Sequence, residues 1–267
     1  MYETYWGLRE KPFENAPDPR FIYYSYEHRE AINRLIYAVE ERKGAAMLTG
    51  DYGCGKTVTS RLLFEKLPDD KYEIALVTNP FLSPTALLRE ICFQLGIKSS
   101  VRSPKTHLLE NLNERLYENM DKHKDTVIII DEAQVIRDPM TFEELRLLLN
   151  FQLNDRFLMT LILIGQPELR GMINELKQLK QRIATRYHLD PLNKEDTENY
   201  IIHRLRIAGA TRKIFSNNSI NLIWESSKGV PRVINTICDM CLLLGFSKKL
   251  NEISGEMVRE VVYDLEG

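Results

Sequence analysis

The chain is poor in the residues that build metal centres. Its 267 residues include four cysteines and five histidines. The histidines show no ligand spacing and are assigned no chemistry. Cys238 and Cys241 have metal or redox spacing, but no second pair and no His-x-x-x-His accompanies them. Their segment reads as helix interior, so they are expected to be buried free thiols. Long hydrophobic runs are also missing. Nothing approaches the roughly 20 apolar residues of a membrane span. Met240–Phe246 is far too short and reads as a buried helix. The first residues, Met-Tyr-Glu-Thr-Tyr-Trp, contain neither a basic region nor an apolar core, so they do not read as a secretory signal. The expected location is the cytoplasm, with any association with the inner membrane made through partners. An excess of one charge is lacking too: 36 Lys and Arg stand against 38 Asp and Glu, a net charge of −2. Whole-protein basicity is therefore no argument for nucleic-acid binding, and only a local patch stays open. No internal repeat or low-complexity segment is present. Composition is 43% hydrophobic and 28% charged, that of an ordinary globular protein with room for one large domain or two smaller ones.

The most informative feature present is the octapeptide Gly50-Asp51-Tyr52-Gly53-Cys54-Gly55-Lys56-Thr57. It fits G-x-x-x-x-G-K-[ST] at every defined position. Backbone N–H groups of such a loop surround nucleotide phosphates, with Val58 continuing it into the next element. Lys56 reaches the β/γ oxygens, and Thr57 offers a hydroxyl to Mg²⁺. Ala45–Thr49 reads as a buried strand before it. Thr57–Leu67 reads as a helix after it, with its positive end toward the anion. Cys54 lies between a helix start and Lys56, the setting of a modifiable thiol; the reading adopted is a spacer at a variable loop position.

Strands and helices alternate from residue 45 to about 190. Ile74–Thr78, Thr126–Ile130 and Leu158–Ile164 read as strands, with a short one near Tyr187–Leu189. Thr126–Ile130 is a continuous β-branched run, the mark of a parallel strand buried on both faces. Tyr26–Arg42, Ser83–Leu95, Thr106–Lys122 and Thr141–Asn150 read as helices, with Lys98–Lys105 a polar connection. Past Pro191 only helical segments follow: Lys194–Ala208, Asn217–Ser227, Pro231–Phe246 and Ser254–Leu265. The expected fold class is α/β, a parallel sheet with helices on both faces followed by a small all-helical domain. The expected boundaries are an N-terminal arm at 1–25, a nucleotide-binding domain at 26–190 and the helical domain at 191–267.

The strand Val127–Ile130 delivers Asp131 and Glu132 to the carboxyl edge of the sheet. Asp131 can hold Mg²⁺, partly through water, and Glu132 can polarise an attacking water. The pair follows the phosphate loop by about 75 residues, the order a nucleotide hydrolase needs. Gln166 comes just after a strand and can contact the terminal phosphate or the water; its alternative is a turn residue beside Pro167. Asn79 ends another strand. It is read either as a partner that restrains Glu132 or as a turn residue. Arg182 and Arg186 are four apart, so on a helix they would share a face. With Arg170, Lys177 and Lys180 they form the stretch nominated as a local basic surface. Arg232 opens a helix whose first turn holds Pro231, a position from which it can reach phosphates.

This combination resembles the AAA+ ATPases, and more closely the ExeA/GspA-type ATPases of secretion and pilus-assembly loci. The shared residues are Tyr5-Trp6-Gly7-Leu8 through Pro12-Phe13, Pro17–Phe21, Asp131-Glu132-Ala133-Gln134, Gly165-Gln166-Pro167-Glu168-Leu169, Gln181-Arg182-Ile183 and Pro231-Arg232-x-Ile234-Asn235. The resemblance covers almost the whole chain. It implies ATP and Mg²⁺ as ligands, Gln166 as sensor 1 and Arg182 as the arginine finger, with Arg186 the alternative. It also implies Arg232 as sensor 2 on a lid, and an N-terminal arm lining the adenine site. The partners implied are the chain itself, as a nucleotide-dependent homo-oligomer with a ring among the candidates, and components of a secretion or pilus system. Many such proteins continue into a membrane span and a periplasmic peptidoglycan-binding domain. This sequence shows neither, so the chain is expected to be either a standalone ATPase, the reading preferred, or a shortened form of a longer protein. The TniB/TnsC transposition ATPases are similar in the same core, so a DNA-associated regulator is the alternative reading.

Overall fold

The computed structural model describes every residue except Pro17, Ser99, Val101 and Gly267, and all but the side chain of Glu266. Pro17 of the arm motif, and Ser99 and Val101 of the Lys98–Lys105 connection, lie outside the described residues. In chain order the helices are α1 (Glu3–Trp6), α2 (Tyr26–Glu40), α3 (Lys56–Lys66), α4 (Pro84–Gln94), α5 (Lys105–Asp121), α6 (Pro139–Leu148), α7 (Glu168–Glu175), α8 (Lys177–Arg182), α9 (Lys194–Ile207), α10 (Asn217–Ser227), α11 (Pro231–Ser247) and α12 (Gly255–Glu266). The strands are β1 (Ala45–Gly50), β2 (Tyr72–Val77), β3 (Asp125–Ile130), β4 (Met159–Gly165) and β5 (Ile183–Leu189). The residues divide between two compact units.

One unit comprises His28–Tyr52 and Lys56–Leu189. Its five strands form one sheet in the order β2-β3-β4-β1-β5, and every pairing is parallel. Both faces are covered. Ala45, Met47, Ile128, Ile130, Leu161 and Leu163 belong to a core shared with α4, α5 and α6. The alternate residues Ala46, Leu48, Val127, Ile129, Ile162 and Ile164 are equally buried, and α3 packs on β1 and β4. This is why β1, β3 and β4 read as continuous apolar runs. Helix starts are set by local chemistry. Ser83 Oγ accepts the Ala86 N–H at 3.4 Å and Asp138 Oδ1 the Met140 N–H at 2.9 Å, each just before a proline at the first helical position.

The expected end of this unit needs one correction. Arg182 closes α8, whereas Arg186 lies within β5, so the two do not share a helix face. Ile183, Thr185 and Tyr187 suit an extended chain, and β5 pairs with β1 along its length. The strand expected at Tyr187–Leu189 therefore begins four residues earlier.

The other unit comprises Met1–Glu27, Gly53–Gly55 and Asp190–Gly267. Its core joins Tyr2, Trp6, Leu8, Phe13 and Phe21 to residues of α9 through α12. The Trp6 indole N–H donates to the Leu242 carbonyl at 2.9 Å. Buried Arg204 donates to the Pro12 and Glu14 carbonyls at 2.6 and 2.9 Å, and to the Tyr200 hydroxyl at 2.7 Å. The N-terminal segment is thus an integral layer of the helical unit, held by aromatic burial and by one guanidinium. Cys238 and Cys241 lie buried and free on α11. Burial pushes the Cys241 thiol up to about 12 and the Cys238 thiol well above its ordinary value. Among the described residues no group of three or more His, Cys, Asp or Glu could hold a metal ion, and no helix is long and apolar enough to cross a membrane.

Candidate nucleotide-phosphate site

Strand order positions the site. In the order β3-β4-β1, β4 lies between the strand that ends at the phosphate loop and the strand that ends at Asp131. The register pairs Thr49 with Gly165 and Ile130 with Leu163, so the carboxyl ends of all three strands stand together. The carboxyl edge of a parallel sheet is where α/β folds bind ligands.

Lys56 begins α3, and the residue is 5% exposed. It donates to the Gly50 carbonyl at 2.8 Å and the Asp51 carbonyl at 3.0 Å. The loop thus folds back on its own cation and holds it at the mouth of β1. Gly53 and Gly55 take φ of 88° and 99°, which L side chains adopt only under strain. In the helical unit, a Cβ on Gly53 would lie 2.9 Å from Cβ of Arg232 and 3.0 Å from Cγ1 of Val230. The Arg232 N–H points to the Gly53 carbonyl at 3.4 Å. Cys54 is buried, while Asp51, Tyr52 and Thr57 are exposed. Val58, partly buried, continues the first turn of α3.

Asp131 is 3% exposed. Burial raises its pKa; the hydrogen bond from the Glu132 N–H at 2.9 Å and the charge of Lys56 act the other way. A desolvated carboxylate gains most from a nearby cation. Glu132 adopts φ of 53°, a left-handed conformation that costs a non-glycine residue about 1–2 kcal/mol. That turn redirects the chain after β3 and leaves the Glu132 side chain half-buried at the edge.

Asn79 and Glu132 come from the neighbouring ends of β2 and β3, and among the described residues no hydrogen bond joins them. The Asn79 side-chain oxygen accepts the Phe81 N–H at 3.4 Å, the local turn chemistry available to asparagine before a proline. Glu132 is instead bonded by Gln134, whose Nε2 donates to its carboxylate at 2.5 Å. Gln134 Oε1 accepts the Gln166 N–H at 2.9 Å. Gln134 is the site residue that sequence reasoning assigned no role. Its only signal was membership in Asp-Glu-Ala-Gln. Gln166 lies where expected, immediately after β4.

Arg182 is held by a hairpin between α6 and β4. Its Nη2 donates to Asn150 Oδ1 at 3.3 Å and its Nη1 reaches Gln152 Oε1 at 3.5 Å. Its guanidinium lies 5.9 Å from the centre of the Phe157 ring, and Gln152 pairs with Phe157 across the hairpin. Arg186 donates to the Lys180 carbonyl.

These residues fit a nucleoside triphosphate and a divalent cation. The loop supplies a buried ammonium and two left-handed glycines, Thr57 an exposed hydroxyl, and Asp131 a buried carboxylate. A family model described as an AAA domain matches residues 39–173. The chain is 36% identical, over its whole length, to General secretion pathway protein A of Aeromonas hydrophila, and spans 49% of that protein. It is similar in fold to Cdc6p from Pyrobaculum aerophilum, with a TM-score of 0.72 at 19% identity over 94% of this chain and 69% of that one. Drosophila ORC bound to DNA gives a TM-score of 0.74 at 14% identity over 100% of this chain and 66% of that one. At such identities the structural likenesses speak to fold alone.

Proposed function

This chain belongs to the AAA-domain family, and we propose that it binds and hydrolyses ATP with Mg²⁺ and couples turnover to assembly or remodelling of a secretion, pilus or export apparatus. The observation that carries the ATPase part is the convergence at one sheet edge of Lys56, Asp131 and Glu132. The apparatus is supported by the likeness to General secretion pathway protein A; because the chain spans about half of that relative, its partners remain part of the proposal.

In this reading the backbone of Gly50–Thr57 cradles the phosphates, and Lys56 exchanges the Gly50 and Asp51 carbonyls for β/γ oxygens. Thr57 and Asp131 hold Mg²⁺, which supplies charge neutralisation at the phosphates. Glu132 takes the proton of the attacking water. Gln166 contacts the terminal phosphate, and Arg232, beside Gly53, adds a guanidinium. Arg182 acts from one copy on the nucleotide of the next, so the working form is a homo-oligomer. The domains implied are the nucleotide-binding sheet unit and the helical unit, with the N-terminal segment belonging to the latter.

The test is steady-state hydrolysis of ATP by the purified chain with Mg²⁺, across protein concentration. A chain that binds no ATP under any assembly condition is not this enzyme. The second reading, a DNA-associated regulator, is favoured by the exposed Arg170 and Lys177 on α7 and α8, with Arg182 at the end of α8. A steep fall of duplex-DNA affinity with salt would support it, and absence of binding at low salt would remove it.

A further inference from the structure

Gln134 lies on the short 3₁₀ turn Ala133–Val135 that follows Glu132. Its amide bridges two strand ends, donating to the Glu132 carboxylate and accepting from the Gln166 backbone. The neighbours dictate the orientation of that amide. Flipped, its oxygen would face a carboxylate oxygen and its NH₂ would face an N–H. The packing is built around the same bond. A Cβ on Gly165 would lie 2.6 Å from Gln134 Oε1 and 3.3 Å from Gln134 N. A Cβ at 165 would crowd the Gln134 amide, and it would also come within 2.9 Å of Leu169 Cδ2. Asn79, the other candidate partner of Glu132, is engaged with Phe81.

Resting on the ATPase reading above, we infer that Gln134 is a positioning residue that couples the end of β4 to the catalytic base. A carboxylate at the end of a flexible side chain must be aimed at water to act as a base. The N–H donated by Gln134 restrains one Glu132 oxygen and leaves the other to meet the water. The same planar amide is tied to the Gln166 backbone. A shift of residue 166 on contact with the terminal phosphate is therefore passed to Glu132 through one rigid group. The arrangement senses phosphate and orients the base with a single side chain.

A double-mutant cycle tests this. Single-turnover hydrolysis of radiolabelled ATP and the affinity for a fluorescent ATP analogue are measured for wild type, Glu132→Gln, Gln134→Ala and the double variant. Hydrogen bonds to charged groups translate to about 10- to 100-fold, so Gln134→Ala should slow hydrolysis by that factor. Nucleotide affinity should stay within about twofold, and the double variant should match Glu132→Gln within about twofold. Gln134→Glu keeps the shape and the acceptor for Gln166 but loses the donor. It should be at least as slow as Gln134→Ala, because the added carboxylate repels Glu132 where the amide had bonded it. Gly165→Ala should also slow hydrolysis, since its Cβ would crowd the Gln134 amide together with Leu169. Additive losses in the cycle, losses in affinity that match the losses in rate, or a Gln134→Glu variant as fast as wild type would each overturn the inference while the ATPase reading stands. A wild-type chain without hydrolysis overturns both.

Discussion

Lys56 makes the clearest single-residue case. A buried lysine whose ammonium donates to the Gly50 and Asp51 carbonyls is arranged to meet a phosphate, because a stronger acceptor can replace weaker ones without moving the side chain far. Lys56→Ala should weaken ATP binding by about 10- to 100-fold for each charged hydrogen bond lost, since such a bond is worth about 1.5–3 kcal/mol. A fluorescent nucleotide titration reads this directly. Glu132→Gln should separate binding from chemistry. The amide keeps the side-chain shape but cannot take a proton, so affinity should persist while turnover falls by about 10²–10⁴-fold. Equal loss of both would place Glu132 in binding instead. At this scale sequence and structure part company over Asn79 and Gln134. Both are amides near a strand end, and which one meets Glu132 depends on a left-handed turn at residue 132 that no pattern of residue types announces.

Among the elements, α8 and β5 meet at the candidate finger. The helix ends at Arg182 and the strand begins at Ile183, which splits the arginine pair between two structures. Arg182 has side-chain oxygens of Asn150 and Gln152 and the Phe157 ring around it. Arg182→Ala should leave ATP affinity nearly intact and lower kcat, by up to about 10³–10⁵-fold if it acts on phosphoryl transfer in trans. An Arg186→Ala variant with the greater loss would move the role to β5. In the helical unit, His203 on α9 has a buried Nε2 with no partner among the described residues. Burial first, then the Arg206 charge, holds its pKa below the ordinary value. The folded state therefore disfavours the imidazolium. The stability this residue contributes is present above the ordinary histidine value of about 6.5 and is lost as pH falls through the lower folded value. The melting temperature should drop on acidification from neutral pH, and His203→Gln should reduce the drop. A pH profile that His203→Gln leaves unchanged would assign the acid sensitivity elsewhere.

At the scale of the molecule the N-terminal segment and the helical unit form one core. Trp6 is 1% exposed and bonded to the Leu242 carbonyl. Trp6→Ala should cost about 3–5 kcal/mol of stability, measurable as a shifted denaturant midpoint followed by a helical-unit probe. Loss below about 1 kcal/mol would mean that the segment is a dispensable cover. Self-association is the other whole-molecule expectation. If Arg182 works across copies, specific activity rises with protein concentration. Mixing Arg182→Ala with Glu132→Gln then recovers part of the rate, because some mixed interfaces contain one complete site. Flat activity with no recovery on mixing would argue for a site complete within one chain.

The sequence alone determined the α/β class, the phosphate loop and the Asp131-Glu132 pair, and the physical reason is that each is written in contiguous residues. Buried parallel strands must be apolar at every position, helix starts carry their caps, and a phosphate cradle needs its glycines and lysine at fixed spacing. Only the tertiary structure decided the order β2-β3-β4-β1-β5, which sets Gln166 between Lys56 and Glu132, because strand order depends on crossovers whose lengths many arrangements satisfy. Only tertiary structure turned Arg186 into a strand residue, since pairing with β1 overrides the local helical spacing. The Gln134 bridge belongs there too. It depends on a left-handed residue, a glycine 31 positions away in the chain and two strand ends meeting at one edge, three conditions that no local stretch of sequence contains.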